Sequence, residues 1–477
     1  MKRLFQSMLQ ASGLALVAFS ASTSSARAQV PCNIDPLKSL FIIDPSVVDD
    51  PVRTTCFPGI VPQPAGCPVY PSTPPNGAWT FQRIITNMAG NTHPSKFAED
   101  WLNTFLNPQT VNGQTVFDPT KAIQVKQLIA DWRAASGGGK LDLCIAPFRL
   151  TAIVNRMDLA SILGGGYGGT IVDSAGEGRF IFNILDAGGN PTRGNVIFEF
   201  SLPAENCEQL KKWAYRWAEL SNMDFGPCFN EALQAITDDF IGFNVMPHRP
   251  NGSALNQVRT NEIFFGGPWE LREWNIVLQN PLDNMSGLLR NVTTKQTPAN
   301  GPFPSTDFNN TTFLGDYINA DQAAILGDTH VVPEDFLGVD FLGGQAVQPP
   351  LIWDAPNIDN SVGQRVELRH KFALQTCQGC HFFETGTHLP PDNGGPSTPF
   401  VHVTGRIPGQ AADLSGFLTG ISNVPDPLDP STLRHFNELK RRANVLCKIL
   451  NLDCGAIGIE SAEAVAAIAE EQTSAVH

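Results

Sequence analysis

Thr376-Cys377-Gln378-Gly379-Cys380-His381 is the stretch from which the rest of the chain is read. It has the form C-x-x-C-H, the spacing at which a polypeptide holds haem covalently. Two thiols that add to the two vinyl groups of one porphyrin must lie about one helical turn apart. The histidine that follows directly can turn its imidazole to the iron as the proximal ligand. Cys377, Cys380 and His381 are therefore the expected cofactor-binding residues, for one haem c per chain. No other short stretch names a cofactor.

Around the motif, the pattern predicts a helix over 361–376 running into Cys377. Mostly loop follows to residue 430, then an amphipathic helix over 431–450. Phe436, Leu439, Ala443, Leu446 and Ile449 fall on one side of it. The module at 361–455 resembles a class I c-type cytochrome, on the strength of its C-x-x-C-H and its flanking helices. The resemblance covers about a fifth of the chain. It implies thioethers at Cys377 and Cys380, a proximal bond from His381, and a closing helix that packs across the one entering the motif.

The module departs from that family in one respect. Such cytochromes commonly supply a distal methionine, and the last methionine here is Met285, well before the motif. His388, His402 and His435 lie downstream. His388 follows the motif too closely to loop over a porphyrin edge without strain, and His435 suits a capping or solvated role. His402, in Phe400-Val401-His402-Val403, is the preferred distal iron ligand. A histidine between apolar residues also suits a plain core position. Arg365, Arg369 and Lys371 are candidates for haem carboxylate partners, or ordinary exposed helix cations.

The chain begins with the pattern of an export signal, predicted over 1–28. Lys2 and Arg3 precede an apolar run at 13–19, and Ala26-Arg27-Ala28 ends it as a cleavage site. The signal carries Lys2, Arg3 and Arg27 and no acid, so its removal takes the net charge from −14 to −17. So acidic a chain is a poor nucleic-acid or anionic-lipid binder, and no apolar run is long enough for stable membrane insertion. A periplasmic or secreted location is expected. The redox partner or small-molecule substrate is left open. Outside the motif eight of the ten cysteines remain, an even number that suggests disulfides in an exported chain. Proximity favours Cys56–Cys67, Cys207–Cys228 and Cys447–Cys454, leaving Cys32–Cys144.

The expected fold is α+β: a large β-rich, disulfide-braced domain with helical insertions at 29–360, then the small helical module at 361–455 and an Ala/Glu-rich tail at 456–477. The Pro-rich stretch up to residue 76 reads as a loop or arm. Ser95 is the expected cap of a helix bearing Phe97, Trp101, Leu102 and Phe105. Asp118 and Pro119 start another, with Ile123, Leu128, Ile129 and Trp132 inward. Strands are expected at 148–154, 179–185, 195–202, 258–265 and 269–278, with a hairpin turn at 186–190. Helices begin near Cys207 and Cys228. The glycine cluster at 164–169 lacks the strand and helix context of a phosphate loop. Residues 294–360, rich in Pro, Gly and Asn, read as loops over the sheet.

Other chemistry is open to the same residues. Cys377 and Cys380 with His381 or His402 suit zinc, or the two cysteines form a redox or structural dithiol. Arg156/Asp158, Glu177/Arg179 and Glu270/Arg272 share strand faces and read as structural ion pairs. Glu262 and Glu270 are a candidate acid pair for hydrolysis, in a secreted binding or hydrolytic protein. If the chain is an enzyme, a haem-dependent oxidoreductase is the expected kind.

Overall fold

Alternation of apolar and polar residues along the strands creates a sheet with two very different faces. The structure, a computed structural model, describes residues 32–56, 67, 77–160, 174–262, 269–299, 307–347, 352–359, 364–377, 379–381, 383–389, 398–399 and 402–454. The segment predicted as an export signal, most of the Pro-rich stretch, the glycine cluster and the C-terminal tail lie outside these.

The main sheet has seven strands: β1 (Phe41–Ile42), β2 (Phe148–Arg156), β3 (Ser174–Leu185), β4 (Pro191–Pro203), β5 (Leu255–Asn261), β6 (Glu273–Leu278) and β7 (Gly287–Val292). Each pairs antiparallel with the next in that order, so the sheet is a meander interrupted by helices. The expected hairpin joins β3 to β4, with Leu185 opposite Pro191. Asp186 holds its turn by accepting from the backbone N–H groups of Gly188 and Asn190. The fold is thus α+β, as the pattern predicted.

One face of the sheet is aromatic. Phe180 and Phe182 of β3, Phe198 and Phe200 of β4 and Trp274 of β6 are buried there. Helix α1 (Phe81–Met88) sets Phe81 against Phe148, at 4.4 Å between ring centroids, and against Phe182 and Phe198, both at 6.0 Å. Helix α2 (Pro94–Asn103) sets Trp101 edge-on to Trp274 at 6.0 Å. Its cap is His93, whose Nδ1 accepts from the Ser95 N–H, while Ser95 itself is buried in the first turn. Helix α3 (Pro119–Ala135) starts at Asp118 and Pro119 as expected, but Ile123 is 67% exposed and Val125 takes the inward place.

Helices α4 (Cys207–Glu219) and α5 (Pro227–Ile241) follow β4. Residues 294–360 are not simply loops. They contain α6 (Thr312–Ala320) and α7 (Gln322–Leu326), whose Leu314, Tyr317, Ile318 and Ile325 form a second apolar cluster with Phe341 and Trp353. Helix α8 (Gln364–Leu374) joins that cluster through Leu368, Phe372 and Ala373.

The closing helix departs from the cytochrome-like expectation. It begins later, as α10 (Glu438–Leu450), after the short α9 (Gly416–Thr419), and residues 433–436 are instead a strand. That strand, β9 (Leu433–Phe436), pairs with β8 (Ile421–Pro425). Leu439, Val445, Leu446 and Ile449 of α10 pack in the main core with Leu210, Trp213 and Trp217 of α4. Helix α10 therefore belongs to a different apolar cluster from α8, and no separate cytochrome-like helix pair is formed among the described residues.

All eight cysteines outside the motif are disulfide-bonded. The proximity pairings are replaced by Cys56–Cys144, Cys67–Cys228 and Cys207–Cys454. Neighbours in space, not in sequence, decide the partner. The last bridge joins the start of α4 to the chain just after α10, two helices already packed together. Disulfides of this number suit an oxidising compartment. Among the described residues no helix is long and apolar enough to cross a membrane.

Trp274 is fully buried and donates from Nε1 to Thr104 Oγ1 at 3.0 Å. Trp274→Ala is expected to cost about 3–5 kcal/mol, seen as a lower urea midpoint.

Candidate functional site

The motif sits against the second face of the sheet. Alternation turns Arg179 and Ile181 of β3, Asn195, Ile197 and Glu199 of β4, and Arg259 and Asn261 of β5 to that side. Together with Val154 and Phe41 they form the floor of a cavity of about 110 Å³. Cys377, His381, His402 and Val403 close it from above, with Trp269, Leu271, Leu418 and Arg442 at its sides.

Local structure places each thiol. Helix α8 ends at Leu374, and Thr376 Oγ1 donates to Ala373 O and accepts from the Gly379 N–H. This turn needs glycine at 379, since a Cβ there would lie 1.6 Å from Ala373 O. The Cys377 N–H donates to Thr297 Oγ1 and its Sγ lies 3.1 Å from Lys295 O. Thr385 and Thr387 hydroxyls both donate to Cys380 O. Cys377 and Cys380 are buried, and neither is in a disulfide. Burial, with Glu273 close by, raises the Cys377 thiol; burial, Cys377 and Glu438 raise that of Cys380. Both are thus held as thiols, which suits a reactive dithiol poorly.

His402, the residue preferred from the sequence, is brought to the motif. Its ring centroid is 4.4 Å from that of His381, and its Nε2 is 2.7 Å from Cys380 Sγ. Its Nδ1 lies 2.8 Å from Ser415 Oγ, which fixes the ring with Nε2 toward the site. The segment carrying it is tied to the sheet: Asn195 Nδ2 donates to Val403 O, and Arg406 reaches Leu150 O and Asp49. Burial lowers the His402 imidazole well below its usual range, and His381 and Arg442 add to the effect, so it is neutral. His435 is exposed on β9. The side chain of His388 lies outside the described residues. Trp269 packs on His381 at 5.0 Å between ring centroids.

The floor also carries an ion ladder that crosses four strands. Arg179 pairs with Glu177 at 2.7 Å and Glu199 at 3.4 Å, and Arg259 with Glu199 at 3.8 Å and Glu273 at 3.1 Å. Lys295 closes it on Glu273 at 3.2 Å. The same-face pairs read from the sequence are ion-paired as expected, Arg156 with Asp158, Arg179 with Glu177 and Arg272 with Glu270. Glu262 and Glu270 do come together, but buried around Arg272. Burial pushes Glu262 up to about 7 against the pull of Arg272, with Glu270 adding to the rise. Sequence reasoning missed Arg259 and Trp269 at the cavity. The run of charged residues at alternate positions of β3 to β6 was the available signal.

The cations suggested for haem carboxylates are engaged elsewhere. Arg365 pairs with Asp354, Lys371 with Asp328, and buried Arg369 with Glu384 and Asp426. His370, Glu384 and Asp426 converge, but Arg369 and Arg434 occupy those carboxylates. The cluster is therefore an ionic clamp that joins α8 to the chain after the motif and to the β8–β9 hairpin. No family model, curated protein or solved structure matches the chain.

Burial opposes ionisation of Glu384 and Asp426, but their partners, His370 and Arg369 for the first and Arg369 for the second, hold both below their usual range. A depressed carboxylate stabilises the fold above its unfolded pKa, about 4. That contribution is lost as pH falls through the folded value. Arg369→Met is expected to cost about 3–5 kcal/mol near neutral pH, by leaving buried carboxylates without their cation. The variant should also lose less stability than the wild type between about pH 5 and 3. Urea unfolding at the two ends of that window checks both.

Proposed function

We propose that the chain is an exported c-type haem protein acting in electron transfer or haem-dependent redox chemistry. One haem is attached through Cys377 and Cys380, His381 is the proximal ligand and His402 the distal one. The observation that carries this reading is that Cys377, His381 and His402 line one largely apolar cavity, with Cys380 Sγ 2.7 Å from His402 Nε2. Two further features support it. The other eight cysteines are oxidised in pairs while these two are reserved. The cavity beside them, about 110 Å³, also exceeds what a single metal ion fills. Haem held in this way supplies reversible one-electron exchange.

The protein's own residues set the conditions for that chemistry. With the Nδ1–H of His402 donating to Ser415, its lone pair is left on Nε2, on the side of Cys380 and His381. The apolar walls, Phe41, Val154, Ile181, Ile197, Leu271 and Leu418, exclude water and favour the less charged state of whatever they enclose. A histidine in place of methionine on the distal side implies a lower potential than a methionine-ligated cytochrome has. The acidic surface suits a basic redox partner. Periplasmic export agrees with the disulfides and with the signal-like start.

A second reading has its own observation. Ligand atoms of Cys380, His381 and His402 all lie within 4.8 Å of one another, a set that also suits zinc. Metal analysis of protein made with its signal segment in a host that matures c-type cytochromes separates the two. The haem reading expects one iron per chain, and one zinc without iron would overturn it. In iron-loaded protein, His402→Ala is expected to open the sixth position. The reduced variant should then bind carbon monoxide with a shifted Soret band, whereas the reduced wild type should not.

A further inference from the structure

Past the end of the ion ladder the sheet carries a second, larger opening. Asn275 of β6 and Val292 of β7 lie on the same face as Glu273. With Arg249, Lys295 and Gln296 they line a cleft of about 780 Å³. Clefts that hold small organic ligands commonly measure about 300–1,000 Å³. The cavity under the motif, about 110 Å³ and largely apolar, is a different kind of space.

Arg249 gives the cleft its chemistry. The other lining cation, Lys295, is committed to Glu273 at 3.2 Å and to Gln257 Oε1 at 2.9 Å. Arg249 donates instead to neutral acceptors, Ala254 O and Asn256 Oδ1, both at 3.1 Å. No described carboxylate lies within 4.0 Å of it, and Glu177 is reached only through Asn256, whose Nδ2 donates to it at 3.0 Å. Burial works against the charge of Arg249, with Glu177 pulling the other way. A guanidinium that lines an open cleft without a carboxylate of its own suits a ligand carboxylate, which it can bind through two parallel N–H bonds.

Acceptors line another part of the same cleft. Asn112 sits in the turn of a small hairpin, Gln109–Val111 with Gln114–Val116. Its Nδ2 donates to Glu334 O and Leu342 O, which leaves its Oδ1 as an acceptor with no described donor. Glu334 is exposed, accepts from Thr293 Oγ1, and is the one carboxylate among the described lining residues. These acceptors need donors that an ionised carboxylate lacks and a hydroxyl has.

We propose that this cleft binds a sugar acid, with its carboxylate on Arg249 and its hydroxyls on Asn112 and Glu334. The site goes beyond the haem reading and does not depend on it. Lys295 joins the two places, since it lines the cleft and its backbone oxygen lies 3.1 Å from Cys377 Sγ.

The test is isothermal titration calorimetry of the full chain with D-glucuronate, D-glucose and acetate. Glucuronate is expected to bind at one site, about tenfold or more tightly than glucose, which lacks the carboxylate, and acetate, which lacks the hydroxyls. Arg249→Gln should bring glucuronate to the level of glucose, and Arg249→Lys should keep part of the preference. Because Arg249 also braces Ala254, Glu334→Gln at the exposed rim is the companion variant. It removes a negative charge and keeps an acceptor, so glucuronate should bind about threefold more tightly and glucose as before. Glucuronate that binds no better than glucose or acetate would overturn the proposal. So would a folded Arg249→Gln with wild-type preference, or a Glu334→Gln that leaves glucuronate binding unchanged. The same results are expected with or without haem, so failure here is distinct from failure of the haem reading.

Discussion

Arg259 lies on the sheet between Glu199 and Glu273, 3% exposed, and much of the architecture follows from keeping it there. Taking such charges out of water costs several kcal/mol each, and mutual attraction offsets this only when every charge has partners. The ladder from Glu177 to Lys295 meets that condition across strands β3 to β6. It requires the antiparallel register seen here, because a slip of one residue would turn the charged row toward the aromatic core. The opposite face, where Phe198 and Trp274 pack under α1 and α2, fixes the same register from the other side. One sheet thus has a core face and a chemical face, and the motif is laid on the second.

That arrangement explains why the C-terminal segment is not an independent unit. Cys377 is anchored by Lys295 and Thr297, in the chain that follows β7. The His402 segment is anchored by Asn195 of β4, and its Arg406 donates to Leu150 O of β2. The closing helix is bridged by Cys454 to Cys207 at the start of α4. Each side of the cavity is borrowed from a different part of the sequence. A substitution on the sheet can therefore alter the site without touching the motif.

What the sequence revealed followed from short-range rules. The C-x-x-C-H spacing, the Asp118–Pro119 helix start, the 186–190 hairpin and the position of His402 beside the motif were all legible from neighbours along the chain. The failures were long-range. The disulfides join residues 88, 161 and 247 positions apart, and loop entropy grows too slowly with length to favour near partners. The strand at 433–436 carries apolar spacing that continues the helix after it, and only its pairing with β8 makes it a strand. In the Pro- and Gly-rich stretch before α8, Leu314, Tyr317, Phe341 and Trp353 make a cluster that composition conceals. The floor of the cavity was invisible for the same reason: Arg179, Glu199 and Arg259 are 20 and 60 residues apart along the chain and become neighbours only through sheet register.

The central claim is that Cys377 and Cys380 together hold a porphyrin on this sheet. The most direct measurement is the reduced pyridine haemochrome spectrum of the purified chain after denaturation and acid–acetone extraction. The account predicts a c-type α-band that stays with the polypeptide in the wild type, and loss of that retained pigment when Cys377 and Cys380 are both replaced by serine. Extraction of all pigment from the wild type, or full recovery of both thiols by alkylation under denaturing conditions, would contradict it.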